Sequence, residues 1–283
     1  MLQFTGESWR HTVDHPENEA PDLAGRTVLA VFAHPDDESL ACGGTLARLA
    51  DAGASVVLLC ASRGERGFIS DPALVPDGDL GRVRAHELRA AARVLGVTEV
   101  LMFDHPDGNL RWDDVPELHA EIVAAITRCN PDAVITFDDD GLYWHLDHVG
   151  VHERTSTAVL SLGADAPPLY YVTMPQGTMR RVVDAAVAKG WAPPRSGFWG
   201  LVPDAFGAEI EPPSFSLDIG PWVPRKLAAL QCHRTQMGSI NPFSLLDEAE
   251  ARQWLGFEYF RRAPIDRPSA QVLERLRVPA VTI

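Results

Sequence analysis

The stretch TVLAVFAHPDDESL, residues 27–40, decides the fold class because an apolar strand in it ends in a polar turn. Residues 27–33 form a continuous run of apolar and β-branched side chains, which is typical of a strand buried on both faces. Beyond the turn, apolar residues recur at helical spacing from Leu40 to Ala52, and Gly53 follows as a C-cap residue. The stretch therefore predicts a strand, a polar turn and a helix.

The same alternation of strand and helix repeats along the chain. It predicts strands at 55–60, 99–103, 133–137, 169–174 and 214–219 and helices at 80–95, 115–129, 148–160, 178–189 and 224–236. Such alternation indicates an α/β fold that is Rossmann-like and doubly wound, a mostly parallel sheet with helices on both faces. We expect residues 1–26 to form an N-terminal arm and residues 27–283 a single domain, in which 161–283 is an elaborated C-terminal part. A separate C-terminal subdomain is the alternative.

Charge and composition exclude several classes of partner. The 283 residues include 25 Lys and Arg against 39 Asp and Glu, a formal net charge of −14. Binding to nucleic acid by counterion release needs a basic face, and no run of Lys and Arg supplies one. The longest apolar run, residues 56–61, is far shorter than the ~20 residues of a membrane span. We therefore expect a small-molecule substrate, no nucleic acid partner and no membrane span, and the sequence leaves homo-oligomerisation open.

The cellular compartment can be predicted from the N-terminus and the cysteines. The first twenty residues lack the basic and apolar regions of a signal peptide. The four cysteines lie far apart and form no CxxC pair, which favours a reducing compartment. We expect a cytoplasmic enzyme.

Two clusters of histidines and carboxylates follow the first and fourth predicted strands. The first is the turn with His34, Asp36, Asp37 and Glu38, and the second is DDDGLYWHLDHVGVH, residues 138–152. A dinucleotide-binding turn would need G-x-G-x-x-G here, and three acids would repel a phosphate. Crowded carboxylates favour a cation instead, whereas helix capping alone explains neither the histidine nor the number of acids.

The doubly wound topology should bring the two clusters together, because the ends of strands 1 and 4 are neighbours in its common strand order. His145 and His148 are three residues apart, so both can face one side of a helix N-terminus. A polar loop with a solvated histidine would explain either cluster alone. Two histidines with one or two carboxylates and an open position are typical of a catalytic zinc site, or of a ferrous one.

These motifs resemble the PIG-L/LmbE-like family of zinc-dependent de-N-acetylases, which includes the N-acetylglucosaminyl-phosphatidylinositol deacetylases and the mycothiol and bacillithiol pathway deacetylases. The resemblance rests on AHPDDESLACGGTLARLADAG (33–53), CASRGERG (60–67), RVRAHELRAAARVLGV (82–97), HLDHVGVH (145–152) and RKLAALQCHRTQ (225–236). It implies that residues 27–283 are an LmbE-like deacetylase domain that removes the acetyl group from an N-acetylglucosamine (GlcNAc) conjugate.

The resemblance also implies a role for individual residues of the two clusters. His34, Asp37 and His148 match the zinc ligands, and Asp36 matches the general base. His145 matches the residue that, in its protonated form, stabilises or protonates the tetrahedral species.

Further positions concern the substrate. Tyr143 lies where relatives place a tyrosine near the substrate oxygen, and Arg84 and Asp107 match residues that contact sugar hydroxyls. Leu146 replaces the proline of the usual HPDH. Phe68 replaces an acidic residue of relatives that act on inositol-linked sugars, which argues against the inositol conjugate.

Amide hydrolysis fits these residues independently of the resemblance. Zinc lowers the pKa of water that it binds to ~7, and Asp36, next to Asp37, can take the proton of that water. The leaving amine needs a proton from Asp36 or His145, and the sequence does not decide between them. The alternatives are an amidase acting on a thiol- or antibiotic-linked amide and a non-catalytic metal-binding member of the family. The second would have no use for Asp36.

Overall fold

A computed structural model describes residues 22–113, 115–195, 198–207, 213–238, 241–265 and 272–277. Its seven strands among these residues are β1 Thr27–Phe32, β2 Ser55–Cys60, β3 Glu99–Met102, β4 Ala133–Phe137, β5 Leu169–Thr173, β6 Phe215–Asp218 and β7 Phe257–Arg262. All but the last five residues of the expected arm, 1–26, lie outside the described part of the chain.

The helices match most of the predicted ones. They are α1 Asp37–Asp51, α2 Leu80–Leu95, α3 Val115–Cys129, α4 Gly141–Trp144, α5 Leu146–Ser161, α6 Thr178–Ala188, α7 Val223–Cys232, α8 Arg234–Met237 and α9 Glu248–Leu255. The helix predicted at 224–236 is divided at His233, and α1 begins three residues before the predicted start. Among the described residues, no helix is both long and apolar enough to cross a membrane.

The strands form one mixed sheet in the order β3-β2-β1-β4-β5-β7-β6. Strands β1 to β5 are parallel, whereas β7 is antiparallel to both β5 and β6. Every residue of β4 and β5 is buried, as expected for apolar runs covered on both faces. The predicted α/β, doubly wound architecture is confirmed, and β1 and β4 are paired neighbours, so the two polar clusters lie at the same edge of the sheet.

Strand β7 was not recognised in the sequence, yet it holds α1 in place. The carboxylate of Glu258, 3% exposed, accepts hydrogen bonds from the backbone N–H groups of Gly44 (3.0 Å) and Thr45 (2.7 Å). The buried Lys226 ammonium lies 2.6 Å from the same carboxylate and donates to the carbonyl oxygen of Leu40. Because a buried carboxylate needs a partner charge and hydrogen bonds, this group ties the C-terminal part to the helix that follows the polar turn.

Candidate active site

Three side chains from the two predicted clusters converge at the carboxyl edge of β1 and β4. His148 Nε2 lies 3.1 Å from Asp37 Oδ1 and 3.3 Å from His34 Nδ1, and His34 Nδ1 lies 3.5 Å from Asp37 Oδ2. Ligands at 2.0–2.1 Å from a tetrahedral zinc ion are about 3.3–3.4 Å apart, so the spacing of these donors fits such an ion. The predicted ligand set is therefore brought together at a spacing suited to a metal.

The remaining nitrogen of each of these two histidines is held by a hydrogen bond. His34 Nε2 donates to Asp147 Oδ2 at 3.0 Å and lies 3.1 Å from Asp107 Oδ1, while His148 Nδ1 donates to the carbonyl oxygen of Gly141 at 3.0 Å. Such bonds select the ring tautomer and leave His34 Nδ1 and His148 Nε2 free to bind a metal. Gly141 is required here, since its φ is +56° and a Cβ would lie 2.7 Å from Cβ of His148.

Other combinations of donors are also close. The side chains of His34, His145 and His148 form one group that could hold a metal ion, and those of His34, Asp107 and Asp147 form another. In the second group, His34 Nε2 already carries a proton that it donates to the carboxylates. The site is thus a possible His/Asp metal centre, and the assignment of His34, Asp37 and His148 as its ligands stays a prediction.

Charges in the centre shift the pKa values of its members in opposite directions. Burial alone would lower the pKa of His34, but hydrogen bonds to Asp107, Asp147 and Asp37 raise it well above its ordinary value. Burial alone would raise the pKa of Asp37, but the neighbouring His148 and His34 hold it well below its ordinary value. The metal-free centre is therefore a network of ionised carboxylates around a protonated His34.

Asp36 occupies a strained position beside this centre. Its φ is +121°, outside the regions that residues with a side chain normally adopt. The pKa of its carboxyl is raised to about 6, chiefly by burial and also by the adjacent Asp37, against the opposing charge of Arg84. Arg84 Nη2 lies 3.3 Å from Asp36 Oδ2. The carboxyl lines the active-site cavity, where a base with a pKa close to neutrality can both take and return a proton.

Arg84 and Asp107 support the centre from within the cavity wall. Arg84 is 3% exposed, and its guanidinium donates to the carbonyl oxygens of Gly64 (2.8 Å) and Pro35 (2.6 Å). A Cβ on Gly64, whose φ is +65°, would lie 2.1 Å from Arg84 Nη1, so glycine is needed there. Burial alone would raise the pKa of Asp107, but the hydrogen bond and charge of His34 lower it to about 2. Sugar contacts by Arg84 and Asp107 stay a prediction.

His145 differs from its expected state. Its Nδ1 accepts a hydrogen bond from the backbone N–H of Asp147 at 3.3 Å, which leaves the ring proton on Nε2. The pKa of His145 is lowered to about 4, chiefly by burial and also by the neighbouring His148 and His34. The sequence led us to expect a protonated His145, whereas its surroundings make the metal-free ring neutral at pH 7. It can still donate one hydrogen bond from Nε2.

Tyr143 lies against the same histidines. Its ring centroid is 5.8 Å from that of His145 and 5.1 Å from that of His148. Burial raises the pKa of its hydroxyl well above the ordinary value, so the group keeps its proton. Leu146 begins α5 and is 51% exposed. Proline is favoured at a first helical position because of its fixed φ but is not needed there, so the departure from HPDH leaves the histidines in place.

Glu38 and His233 form a buried pair next to the backbone of Asp36, and the sequence analysis did not predict their contact. Glu38 Oε2 accepts a hydrogen bond from the backbone N–H of Asp36 at 3.0 Å, and Glu38 Oε1 accepts one from His233 Nε2 at 2.8 Å. His233 is fully buried, and Glu38 raises its pKa against the effect of burial. His233 lies in the quoted RKLAALQCHRTQ stretch, but its contact with Glu38 spans 195 positions, so no local spacing could have shown it.

The cavity above this centre has a volume of about 310 Å³. Seven of the eight predicted site residues line it, and His148 is fully buried beneath. The lining side chains are those of His34, Asp36, Asp37, Leu40, Arg66, Phe68, Arg84, Asp107, Tyr143, His145, Phe198, Leu201, Gln236 and Met237, together with Gly67. The volume is within the range of small-molecule sites.

Several known proteins share this fold. The chain is 23% identical to an N,N'-diacetylchitobiose deacetylase from Pyrococcus horikoshii, with a TM-score of 0.57 over 84% of each chain. It is 21% identical to GalB, the 4-carboxy-2-hydroxymuconate hydratase from Pseudomonas putida, with a TM-score of 0.58 over 87% of this chain and 99% of that one. Because a hydratase has the same architecture, the fold alone does not decide the reaction.

Sequence similarity is more specific. The profile of the PIG-L family, GlcNAc-PI de-N-acetylase, matches residues 29–159. A 1D-myo-inositol 2-acetamido-2-deoxy-alpha-D-glucopyranoside deacetylase from Thermobispora bispora is 34% identical over 270 residues, which cover 84% of this chain and 88% of that relative. With this identity over most of both chains, the protein belongs to the PIG-L family.

Proposed function

We propose that the protein is a zinc-dependent deacetylase that hydrolyses the N-acetyl amide of a GlcNAc-type conjugate to acetate and a free amine. The observation that carries the proposal is Asp36, a carboxyl of raised pKa that lines a cavity directly beside three convergent metal-binding side chains. The similarity of the protein's sequence to a deacetylase of an acetamido sugar supports the same reaction. A non-catalytic metal carrier would gain nothing from a strained carboxyl of raised pKa at this position.

The metal would be held by His34, Asp37 and His148, whose donor atoms are 3.1–3.5 Å apart. Zinc bound there would supply a Lewis acid that makes water more acidic and polarises the acetamide carbonyl. Asp147 and the carbonyl oxygen of Gly141 keep the two imidazole rings in the tautomers that binding requires.

Asp36 acts as the base and then as the acid. At pH 7 a carboxyl with a pKa of about 6 is mostly ionised, so it accepts a proton from water as the oxygen attacks the carbonyl carbon. The same pKa allows the carboxyl to return that proton to the nitrogen when the C–N bond breaks. We therefore assign protonation of the leaving amine to Asp36.

The developing oxyanion is stabilised by hydrogen-bond donors. The neutral ring of His145 presents Nε2–H, and the hydroxyl of Tyr143 retains its proton because burial raises its pKa. Removal of one donor of this kind typically costs about 3–4 kcal/mol of transition-state stabilisation. His145 thus contributes a fixed dipole, and the full positive charge comes from the cation.

We assign contacts with the sugar to Arg84 and Asp107, both of which line the cavity. Asp107 already accepts bonds from the Arg66 backbone and from His34, and each of its oxygens has a second lone pair. Because Arg84 also holds the carbonyl oxygen of Pro35, replacing it would disturb the base as well as the sugar.

The test is acetate release by the zinc-loaded protein from a panel of GlcNAc glycosides, with the free amine measured in parallel. Equal amounts of acetate and amine are expected, and Asp36→Asn should release acetate ~10²–10⁴-fold more slowly than the wild type. Asparagine tolerates positive φ better than most residues, so this variant should fold. Leu160→Ala, on an exposed part of α5 outside the cavity lining, is the control that should keep full activity. No release of acetate from any glycoside would refute the proposal.

A further inference from the structure

Apolar side chains form part of the lining of the active-site cavity, and we call four of them the apolar rim: Phe68, Phe198, Leu201 and Met237. Phe68 is 56% exposed and Leu201 41% exposed, although both are large hydrophobic residues. The carboxylates among the described residues that line the cavity, Asp36, Asp37 and Asp107, all belong to the metal and base end. The two ends of the cavity thus differ in chemistry.

The position of Phe68 is fixed by its backbone. Gln236 Nε2 donates to the carbonyl oxygen of Phe68 at 2.8 Å, and the N–H of Ser70 donates to the carbonyl oxygen of Thr235 at 2.9 Å. Two residues before Phe68, the N–H of Arg66 donates to Asp107 at 2.8 Å. The segment is therefore anchored on both sides of Phe68, and its ring is presented at the cavity by a defined backbone.

A second apolar part of the site is a series of aromatic rings in contact with one another. Tyr143, which contacts His145, packs edge to face on Phe198 with centroids 5.7 Å apart, and it contacts Phe206 at 4.9 Å. Leu201 follows Phe198 by three residues, after the 3-10 turn Phe198–Gly200, and also lines the cavity. An apolar surface therefore extends outward from the place where the acetamide would be hydrolysed.

We infer that the apolar rim is the subsite for the aglycone, and that the substrate is a GlcNAc glycoside whose aglycone presents an aliphatic or aromatic face. This inference rests on the proposed function and names its substrate class. A polyhydroxylated ring placed against Phe68 and Leu201 would lose hydrogen bonds to water without replacing them, which costs free energy for each unpaired hydroxyl. An apolar ring gains by the same contact, since both surfaces leave water.

Two polar side chains also line this region, and they limit what the aglycone can be. Gln236 Nε2 already donates to the carbonyl oxygen of Phe68 and to Thr235 Oγ1 at 3.2 Å. Arg66 adds a cation at the cavity wall. One acceptor group on an otherwise apolar aglycone is compatible with this arrangement, whereas a ring with a hydroxyl on most of its carbons is not.

The experiment compares two glycosides that have the same ring skeleton and anomer. They are cyclohexyl and 1D-myo-inositol 2-acetamido-2-deoxy-α-D-glucopyranoside, and free GlcNAc is the reference. We expect kcat/KM for acetate release to be about tenfold or more higher for the cyclohexyl glycoside, which is the scale of discrimination by apolar contacts. Phe68→Asn should reduce the cyclohexyl-to-inositol ratio by a similar factor, Phe68→Leu should largely preserve it, and Leu160→Ala should not change it.

The outcomes separate this inference from the proposed function. If neither glycoside nor GlcNAc releases acetate, the proposed function fails and the inference with it. If acetate is released but the inositol glycoside is preferred, the apolar subsite is refuted and the deacetylase remains. An unchanged ratio in Phe68→Asn would also refute the assignment of the subsite to the rim. Because Phe68 is more than half exposed, loss of folding is not expected in any of these variants.

Discussion

Replacement of Asp147 by asparagine tests how the metal centre is held. Asp147 is 1% exposed and uses both of its oxygens: Oδ2 accepts from His34 Nε2 (3.0 Å) and from the N–H of Gly108 (2.7 Å), and Oδ1 accepts from the N–H of Leu110 (3.0 Å). A carboxylate is the one side chain of this size that can accept all three bonds. It orients His34 and at the same time anchors the loop that carries Asp107.

The magnitude follows from the atoms that asparagine would place there. Its amide has one oxygen and one NH2 group, so in either orientation the NH2 faces at least one buried N–H. Leaving one such donor without an acceptor costs about 1–3 kcal/mol of the free energy of unfolding. Loss of the charge that orients a liganding histidine typically weakens metal binding ~10–100-fold, which corresponds to about 1.4–2.7 kcal/mol. We expect both effects in Asp147→Asn.

Chelator competition measures zinc affinity, and thermal or chemical unfolding of the metal-free protein measures stability. Asp104→Asn is the matched control, because Asp104 has a side chain that is 71% exposed, and its partner is Arg63 at the surface. Surface pairs contribute little, so the control should differ from wild type by less than about 1 kcal/mol. Zinc affinity of Asp147→Asn within twofold of wild type would show that His34 is not oriented for the metal as described.

Four further results are expected. Asp36→Asn should retain zinc while kcat falls ~10²–10⁴-fold, and loss of zinc together with activity would instead make Asp36 a ligand. In the wild type, kcat/KM should fall about tenfold per pH unit below an apparent pKa of about 6, because Asp36 becomes protonated there. If the residual activity of Asp36→Asn shows the same fall at low pH, this assignment is contradicted. Since His34 has a raised pKa, zinc must displace its proton, and zinc affinity should therefore increase with pH. Titration calorimetry in buffers of different ionisation enthalpy should detect the released protons. His233→Leu should lower kcat more than it changes KM. His233→Gln should recover kcat, because its amide can still donate a hydrogen bond to Glu38. Equal losses of kcat in both variants would argue that His233 does not position Asp36 through Glu38.

The sequence could predict the parallel half of the sheet because its signals there are local. The ranges 55–60, 80–95, 115–129 and 133–137 agree residue for residue with β2, α2, α3 and β4. Buried parallel strands are continuous apolar runs, and helix α2 has a capping aspartate before it and a left-handed glycine, Gly96, after it.

The C-terminal strand β7 was missed for an equally physical reason. Its sequence FEYFRR places Glu258 inside the protein, where apolar patterning expects no carboxylate. The compensating charge, Lys226, is 32 residues earlier, and the bonded N–H groups belong to α1. Only the assembled fold makes that carboxylate stable, so a reading of local periodicity cannot find the strand.

The active site likewise has features that could be predicted from the sequence and features that could not. Its composition was predictable, because both clusters follow strands that are neighbours in the sheet. The start of α1 was not, because its first turn, Asp37 to Ser39, is polar and yet buried. The protonation of His145 was not predictable either, since it depends on burial and on the neighbouring rings.

His145 and His148 show why residue type and spacing do not determine chemistry. Both are histidines of one HLDH motif, but His145 precedes α5 in an extended conformation, so its Nδ1 accepts the N–H of Asp147. His148 lies in the first turn of the helix, and its Nδ1 donates to the carbonyl oxygen of Gly141. The first ring therefore presents Nε2–H, a donor suited to an oxyanion, and the second turns its Nε2 toward His34 and Asp37, where this atom can bind a metal. An exchange of these roles would require a different backbone and not merely a different pKa, because each tautomer is selected by a main-chain group.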